Sequence, residues 1–264
     1  MPNLKFSVVI PAYNAALSIA ETLESVSKQS WREFEVVVAD DASTDATPDI
    51  VLGFAKRDSR IRLLPCPQHF GRPAGPRNLG VRQATGDYIA FIDSDDIWKS
   101  EKLARDAAFL TADPVDFLFS GCEYFVSTLD NIVAVLDPAP MSTMILFRNL
   151  VMIQTVCVSR RLILERQLFF DEDPQLRGIE DYHFVLEAYL SNVRMARRPG
   201  SDVLYRKYSA TSIYPRNNLP LLLYRHAWNL RRIREKYRLS PAQYYSFLAL
   251  TMSYKTAQAM LGRA

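Results

Sequence analysis

The sequence predicts an α/β fold, in which a mostly parallel sheet is flanked by helices, followed by a helical C-terminal appendage. Within the first 120 residues, short β-branched runs alternate with segments of helical spacing, the pattern of a parallel sheet with covering helices. Two of these runs, Val36 to Val38 and Tyr88 to Ile92, are apolar on both faces, as buried strands are. We therefore assign residues 1–215 to the sheet domain and residues 216–264 to the helical extension.

The first half of the sheet domain is the more regular. Its strands are expected within FSVVIP, FEVVVAD, IRLLP and DYIAFID. Helical segments follow the strands, over Ala15 to Gln29, Asp45 to Lys56, Pro73 to Ala84 and Trp98 to Leu110. Ligands bind beyond the carboxyl ends of strands in such open sheets, so the residues after each strand are candidates for a site.

The second half is less regular and is expected to be mixed and partly antiparallel. Short strands are expected near residues 117–120, 123–128 and 132–136, before a break at Asp137-Pro138-Ala139-Pro140. The other expected elements are a helix from Gly178 to Leu190, a strand from Val203 to Tyr208, and helices from Leu219 to Tyr237 and from Pro241 to about Leu261.

The composition is that of a folded protein whose core needs no disulfide. The chain has 264 residues, of which 48% are hydrophobic, and a formal net charge of +3. Its three cysteines, Cys66, Cys122 and Cys157, show no paired spacing and are expected to be reduced thiols of a cytoplasmic protein. No apolar run approaches the roughly 20 residues of a membrane span, so any membrane contact is expected to be peripheral.

The strongest chemical signal is the acidic run Asp93-Ser94-Asp95-Asp96 after the fourth strand. Neighbouring carboxylates repel one another unless a cation or hydrogen-bond donors neutralise them. Mg²⁺ and Mn²⁺ commonly bind through one or two protein carboxylates together with phosphate oxygens and water. Acids at the start of the helical segment from Trp98 would also favour the helix dipole. The run favours a divalent metal site, with the helix start as the alternative.

A second acidic run, from Asp40 to Asp45, follows the second strand. A carboxylate there could accept a hydrogen bond from a ribose hydroxyl or a base N–H. Ser43 or Thr44, together with Asp45, could instead cap the following helix. Both interpretations stay open on this run alone, and the acidic run at Asp93 favours the functional one.

A loop with two arginines, Arg72 and Arg77, lies between the acidic runs. Guanidinium donors suit phosphate oxygens or a uracil-like edge, although either arginine could pair with a nearby aspartate. The glycine spacing matches neither a P-loop nor the GxGxxG of dinucleotide-binding folds. Nicotinamide binding and kinase-like phosphate binding therefore lack support.

Two further features are more ambiguous. The pair Glu180-Asp181 opens a helical segment, where a carboxylate could act as general base or simply favour the helix dipole. A basic stretch faces the single acid Glu235, and could bind an anionic membrane, form an oligomer surface or be solvated. Its basic residues are Arg225, Arg231, Arg232, Arg234, Lys236 and Arg238.

Taken together, the motifs resemble those of the family 2 glycosyltransferases, whose GT-A fold is Rossmann-like. SVVIPAYN, ADDASTDAT, the segment from GRPAGPRN to FIDSDDIW, and GIEDYHF occur in the family's order over roughly residues 5 to 210. The resemblance implies that a sugar is transferred with inversion from a nucleotide diphosphate sugar, with UDP favoured, to an acceptor hydroxyl. It also implies polysaccharide or glycoconjugate synthesis and the use of Mn²⁺ or Mg²⁺.

The resemblance implies roles for individual residues. Asp95, in the family's DxD motif, would bind the metal, and Asp181 would be the catalytic base. The nucleotide would be bound by Pro11, Ala12, Tyr13, Asp40, Asp41, Arg72, Arg77, Asp93 and Ser94. Relatives often carry a histidine after the late Tyr-Arg, where this chain continues with Lys207, so Arg206 or Lys207 is expected to contact the diphosphate instead.

The expected partners are a nucleotide-sugar donor and a saccharide or lipid-linked saccharide acceptor, without nucleic acid. We expect the enzyme in the cytoplasm or at the cytoplasmic face of the membrane, and a homo-oligomer stays open. Two other functions stay open as well. A sugar nucleotidyltransferase would release pyrophosphate, and a catalytically silent nucleotide-sugar binding protein would release nothing. Intact Asp93, Asp95 and Asp181 argue against the silent protein.

Overall fold

The computed structural model describes residues 4–126, 128–136, 149, 151–206 and 218–260. The chain divides into two compact units. Unit 1 comprises Met1–Pro138, Val151–Phe169 and Arg194–Ser212. Unit 2 comprises Ala139–Leu150, Phe170–Val193 and Ile213–Ala264.

Unit 1 begins with the predicted alternation of strands and helices. Four parallel strands have the order β3-β2-β1-β4: β1 at Phe6–Ala12, β2 at Phe34–Asp40, β3 at Ile61–Pro65 and β4 at Tyr88–Phe91. The helices are α1 at Ile19–Ser27, α2 at Thr47–Ala55 and α3 at Ala74–Gln83. All seven residues of β1 are buried, as expected for a strand between two helix layers. The α/β fold class is thus confirmed.

The second half of unit 1 is mixed, also as expected. It contains β5 at Ile97–Trp98, α4 at Lys102–Ala112, β6 at Phe117–Val126, β7 at Thr128–Leu136, β8 at Cys157–Ser159, α5 at Arg160–Arg166 and β9 at Met195–Arg206. The full strand order is β3-β2-β1-β4-β8-β6-β9-β5, with β7 paired to β6. Strand β8 is antiparallel to β4, whereas β6 and β9 are parallel.

Several boundaries differ from the sequence prediction. The helix expected from Trp98 begins at Lys102, because Ile97 and Trp98 pair with Leu204 and Val203 of β9. The strand expected at residues 117–120 and most of the one expected at 123–128 form one strand, β6, which ends at Val126, and β9 begins well before Val203. Neither β8 nor α5 was predicted. The break at residues 137–140 and the strand end at 207–208 lie outside the described residues.

The chain passes from β4 to β5 in few residues, although three strands separate them in the sheet. Four strand spacings in a flat sheet amount to about 19 Å. The connection, residues 92–96, contains a turn in which the Asp96 N–H donates to the Asp93 carbonyl over 3.2 Å. The sheet must therefore curl, so that its β5 edge lies near the carboxyl end of β4.

A buried ionic network joins α4 to β9. The Lys102 ammonium is fully buried, lies 4.2 Å from the centre of a Trp98 ring and pairs with Asp106 at 2.8 Å. Arg198 of β9 pairs with Asp106 at 2.7 Å and with Asp202 at 2.9 Å. Burial lowers the pKa of Lys102, but the Asp106 carboxylate outweighs it and raises the pKa overall. Such a network supports the strand that ends beside the acidic turn.

Unit 2 is helical in its described part. It contains a short 3-10 helix at Pro174–Leu176, then α6 at Glu180–Leu190, α7 at Leu219–Tyr237 and α8 at Pro241–Met260. The Ser240 hydroxyl accepts the Gln243 N–H over 3.3 Å at the start of α8, which satisfies a donor at the helix end. Among the described residues, no helix is both long enough and apolar enough to cross a bilayer.

Candidate functional site

The acidic turn, residues 93–96, follows β4 at the carboxyl edge of the sheet in unit 1. Strand β5 lies between the turn and α4, which begins at Lys102 and has no acidic residue in its first turn. The helix-dipole interpretation of these acids is therefore wrong. The carboxylates lie where open parallel sheets bind ligands.

The three acids of the turn have different environments. Asp93 and Asp95 are half-buried, whereas Asp96 is fully buried. One carboxylate oxygen of Asp96 accepts the Arg206 N–H over 2.9 Å, and its carbonyl accepts the Thr22 hydroxyl over 2.8 Å. Burial, reinforced by the charges of Asp95 and Asp93, raises the pKa of Asp96 well above its ordinary value. Asp96 thus has an internal, structural position, whereas Asp93 and Asp95 are partly exposed to solvent.

The arginine loop reaches the acidic turn through α3. The Arg77 side chain is 4% exposed and pairs with Asp93, so the aspartate pairing foreseen as an alternative does occur. Arg72 is half-buried, and its Nε has no hydrogen-bond partner among the described residues. A buried donor without a partner is costly. A bound anion would remove that cost.

The acids after β2 hold backbone in place. The Asp41 carboxylate, 2% exposed, accepts the N–H groups of Phe70 and Gly71 over 2.7 and 2.9 Å. Asp40 accepts the N–H and the hydroxyl of Ser43. The Asp45 carboxylate accepts the N–H of Thr47, the first residue of α2. Asp45 thus bonds to the start of α2, but Ser43 bonds to Asp40 instead of capping the helix, whose N-cap residue is Ala46. Asp41 fixes the loop that leads to Arg72.

An aromatic pair lies beside Asp41. Tyr13, directly after β1, is 43% exposed, and its ring centre lies 4.5 Å from that of His69. His69 Nδ1 lies 2.9 Å from the Asp41 carbonyl and 3.2 Å from its carboxylate. The sequence did not single out His69, because no spacing connected it with a motif. Pro11 and Ala12 are buried at the end of β1, and the Ala12 carbonyl accepts the Asp41 N–H over 2.8 Å.

Arg206 ends β9 and its guanidinium has three contacts. It pairs with Glu21, donates from Nε to the Asp95 carbonyl over 3.0 Å, and lies 4.6 Å from the centre of the Phe125 ring. Lys207, the other expected diphosphate contact, lies outside the described residues.

The oxygen donors fit a divalent cation only as part of a shared site. No group of three His, Cys, Asp or Glu side chains that could hold a metal occurs within the described residues. Mg²⁺ and Mn²⁺ at phosphate sites commonly need only one or two carboxylates, since phosphate and water supply the rest. Asp93 and Asp95 provide such oxygens, and the buried Nε of Arg72, in the loop before α3, is a donor that an anion could satisfy. The residues present therefore fit a metal that is shared with a diphosphate.

Unit 2 contains the Glu180-Asp181 pair at the start of α6. Glu180 is 4% exposed and accepts the Gly178 N–H. Asp181 is half-buried, and its carboxylate accepts the Tyr182 N–H over 2.7 Å and the Asn149 amide over 3.2 Å. Glu180 is therefore a buried, structural carboxylate, whereas Asp181 is partly exposed.

Residues 7–165 match the model of Glycosyl transferase family 2. The chain belongs to this family. The chain is 32% identical over 196 residues to the poly(ribitol-phosphate) β-N-acetylglucosaminyltransferase TarS of Staphylococcus aureus, covering 73% of this chain but only 34% of TarS. It is 38% identical over 123 residues to the Escherichia coli UDP-Glc:α-D-GlcNAc-diphosphoundecaprenol β-1,3-glucosyltransferase WfgD, covering 47% of each.

Solved structures show the same GT-A fold. The S. aureus TarS fragment 1–349 in complex with UDP-GlcNAc matches this chain with a TM-score of 0.71 and 25% identity, over 94% of this chain and 72% of the fragment. The mannosyltransferase PcManGT of Pyrobaculum calidifontis, solved with GDP-Man and Mn²⁺, matches with a TM-score of 0.64, over 98% of this chain and 74% of its own. At 20% identity the latter supports the fold alone.

Proposed function

We propose that this family 2 member is an inverting, metal-dependent glycosyltransferase that transfers a sugar from a UDP-sugar to an acceptor hydroxyl. The observation that carries the proposal is the pair of accessible carboxylates, Asp93 and Asp95, at the sheet's carboxyl edge beside the buried guanidinium of Arg77. Oxygen donors for a cation and a fixed cation for an anion are thus adjacent, as a nucleotide diphosphate requires.

The proposed donor subsite lies in unit 1. Tyr13 offers an exposed ring on which a base can stack, and Asp41 holds the loop at residues 69–71 beside it. The solved structures of TarS contain UDP and UDP-GlcNAc, which supports a uridine nucleotide here. Other residues proposed to line the nucleotide are Pro11, Ala12, Asp40, Arg72, Arg77, Asp93 and Ser94.

Asp95 is the proposed metal ligand. A divalent cation bound there would offset the charge that develops on the departing diphosphate, as a Lewis acid does. The chain's own contribution is to hold the carboxylate in place and to keep Arg77 beside Asp93.

Asp181 of unit 2 is the proposed general base. It would take the proton of the acceptor hydroxyl as that oxygen attacks the anomeric carbon and the bond to the diphosphate breaks, which inverts the configuration. A positioned base commonly contributes about 10²-fold or more to the rate. Because Asp181 is half-buried whereas Glu180 is only 4% exposed, Asp181 is the better candidate of the two.

The proposed acceptor is a saccharide or a lipid-linked saccharide in polysaccharide or glycoconjugate assembly. By its name, WfgD acts on a sugar linked to diphosphoundecaprenol, and TarS acts on poly(ribitol-phosphate). An acceptor of the first kind would bring the enzyme to the cytoplasmic face of the membrane.

The test is an assay of UDP-sugar donors with Mn²⁺ on wild-type protein and on Asp181→Asn. We expect the variant to lose at least about 10²-fold in turnover while UDP binding, measured by calorimetry, is retained. Glu235→Gln, an exposed acid on α7, is the matched control and should keep full turnover. Turnover that survives in Asp181→Asn contradicts the base, and turnover unaffected by EDTA contradicts the metal. Release of pyrophosphate instead of UDP would indicate a nucleotidyltransferase.

A further inference from the structure

We propose that Arg206 is a positioning residue for Asp95, which fixes the acidic turn instead of binding the diphosphate itself. The inference rests on the proposed function, since it concerns the same metal site. It explains why a strand from the far end of the sheet ends at the acidic turn.

Arg206 holds the turn at two points. Its backbone N–H donates to the Asp96 carboxylate over 2.9 Å, and its Nε donates to the Asp95 carbonyl over 3.0 Å. The guanidinium is itself fixed, because Glu21 pairs with one terminal nitrogen and the Phe125 ring lies against its face. The side chain is 18% exposed. These contacts direct the guanidinium at the backbone of the turn.

Helix α1 holds the same segment from the other side. The Thr22 hydroxyl donates to the Asp96 carbonyl over 2.8 Å, and the Ser25 hydroxyl accepts the Trp98 N–H over 3.2 Å. Glu21, the partner of Arg206, belongs to this helix as well. The Asp95 carbonyl is therefore bonded to the end of β9 and the Asp96 carbonyl to α1, and Arg206 connects these two elements through its ion pair with Glu21.

Such fixation matters because the turn carries acids that repel one another. The charges of Asp95 and Asp93 act on the buried Asp96, and the Arg206 cation offsets this repulsion from the inner side. Mg²⁺ tolerates little departure from octahedral geometry, so an Asp95 carboxylate on a loose turn would be a poor ligand. Partners that orient a metal ligand typically contribute about 10 to 100-fold to metal affinity.

The Arg206→Lys substitution distinguishes a positioning role from a direct contact with the diphosphate. A guanidinium can donate from Nε and from a terminal nitrogen to different acceptors while its face stacks on an aromatic ring, whereas an ammonium acts as a compact point charge. Lysine is nevertheless a good phosphate binder. If Arg206 contacted the diphosphate directly, Arg206→Lys would keep that contact. In the positioning role, Arg206→Lys loses the link between Asp95 and Glu21.

The experiment measures UDP affinity of the full chain by calorimetry with and without Mn²⁺, and Mn²⁺ binding directly by electron paramagnetic resonance. Wild type is compared with Arg206→Lys and Arg206→Met. The matched control is Arg231→Met, which removes an exposed arginine paired with Glu235 on α7. In both Arg206 variants we expect UDP affinity without metal to be unchanged and Mn²⁺ affinity to fall by about 10-fold or more. The control should behave as wild type.

Each alternative outcome has a distinct meaning. Loss of metal-free UDP affinity in Arg206→Met, with recovery in Arg206→Lys, would show a direct diphosphate contact and overturn the inference. Variants that keep the full Mn²⁺ response of the wild type would overturn it too, and leave the proposed function intact. A wild type whose UDP affinity ignores Mn²⁺ would overturn the metal site and the inference together.

Glu21→Gln provides a second variant should Arg206→Met fail to fold. Glu21 is 59% exposed, so its amide replacement should leave the fold intact while it loosens the guanidinium. We expect a smaller but measurable loss of Mn²⁺ affinity. An unchanged Mn²⁺ affinity would contradict the positioning role.

Discussion

Arg77 and Asp93 form an ion pair in which the arginine side chain is 4% exposed and the aspartate 29%. The pair joins α3, which follows the arginine loop, to the acidic turn after β4. Arg77 and Asp93, both proposed to contact the nucleotide, therefore hold each other in place. Breaking the pair should cost stability mainly through the arginine, because its charge is more deeply buried than that of the aspartate.

Replacing Asp93 should therefore affect stability as well as nucleotide binding. Asp93→Asn leaves the buried Arg77 cation with less compensating charge, and we expect a loss of about 3 kcal/mol in the free energy of unfolding. Urea denaturation followed by circular dichroism measures it. Asp49→Asn, an exposed acid in the first turn of α2, should change stability little. Equal stabilities of the two variants would contradict the importance of the ion pair.

Asp41→Asn tests the fixation of the loop at residues 69–71. Asparagine offers one acceptor oxygen where the carboxylate accepts two backbone N–H groups, from Phe70 and Gly71. One donor is then unsatisfied, at a cost of about 1 to 3 kcal/mol. We expect weaker UDP binding together with faster amide hydrogen exchange at Gly71. Unchanged exchange there, with UDP binding lost, would indicate that Asp41 contacts the nucleotide directly.

His226 should make unit 2 sensitive to acid. It is 1% exposed, and burial, assisted by the charge of Lys255, lowers its pKa from 6.5 to about 3. Between these values the unfolded chain binds a proton that the folded chain does not. Stability is therefore complete above about pH 6.5 and falls by about 1.4 kcal/mol per pH unit as the pH drops toward about 3.

The measurement compares the free energy of unfolding at pH 7 and pH 5, followed by Trp228 fluorescence in unit 2. Wild type should lose about 2 kcal/mol more than His226→Gln over this interval. His69→Gln, with a side chain 47% exposed, is the control and should lose as much as wild type. A pH dependence that persists in His226→Gln would assign it to another group.

The basic helix α7 should bind anionic membranes only weakly. Of the six cations from Arg225 to Arg238, of which α7 contains five, Arg232 pairs with Asp171, Lys236 with Glu187 and Arg231 with Glu235. Since each basic residue near an anionic surface contributes about 1 kcal/mol, these pairings remove much of the attraction. We expect little sedimentation with phosphatidylserine vesicles at low salt. Strong, salt-sensitive sedimentation would favour the membrane interpretation instead.

The part of the fold that could be predicted from sequence is the part encoded locally. The apolar runs of β1, β2 and β4 and the polar residues directly after them appear within a few residues of one another. The parallel half of the sheet and the edge that carries the motifs follow from that pattern. Helices α7 and α8 were also predicted, since their spacing and the cap at Ser240 are local signals.

The features that could not be predicted depend on distant partners. Strand β5 has two residues and exists through its pairing with Val203 and Leu204. The buried position of Asp96 depends on a hydrogen bond from Arg206, and the place of His69 in the candidate site depends on its ring contact with Tyr13. None of these pairings leaves a periodic or compositional trace. Sequence therefore located the acidic turn but not which of its acids would be buried.

The curl of the sheet limits the length of the acidic turn. Between Phe91 and Ile97 the chain can span at most about 20 Å when fully extended, and the bend closed by the Asp93 carbonyl shortens that reach. Deleting one residue would pull β5 away from β9, and adding residues would let that edge drift outward. Homologues with the same pairing of β5 and β9 should therefore carry their insertions elsewhere, because a change in the length of this connection would disturb both that pairing and the spacing of the acids.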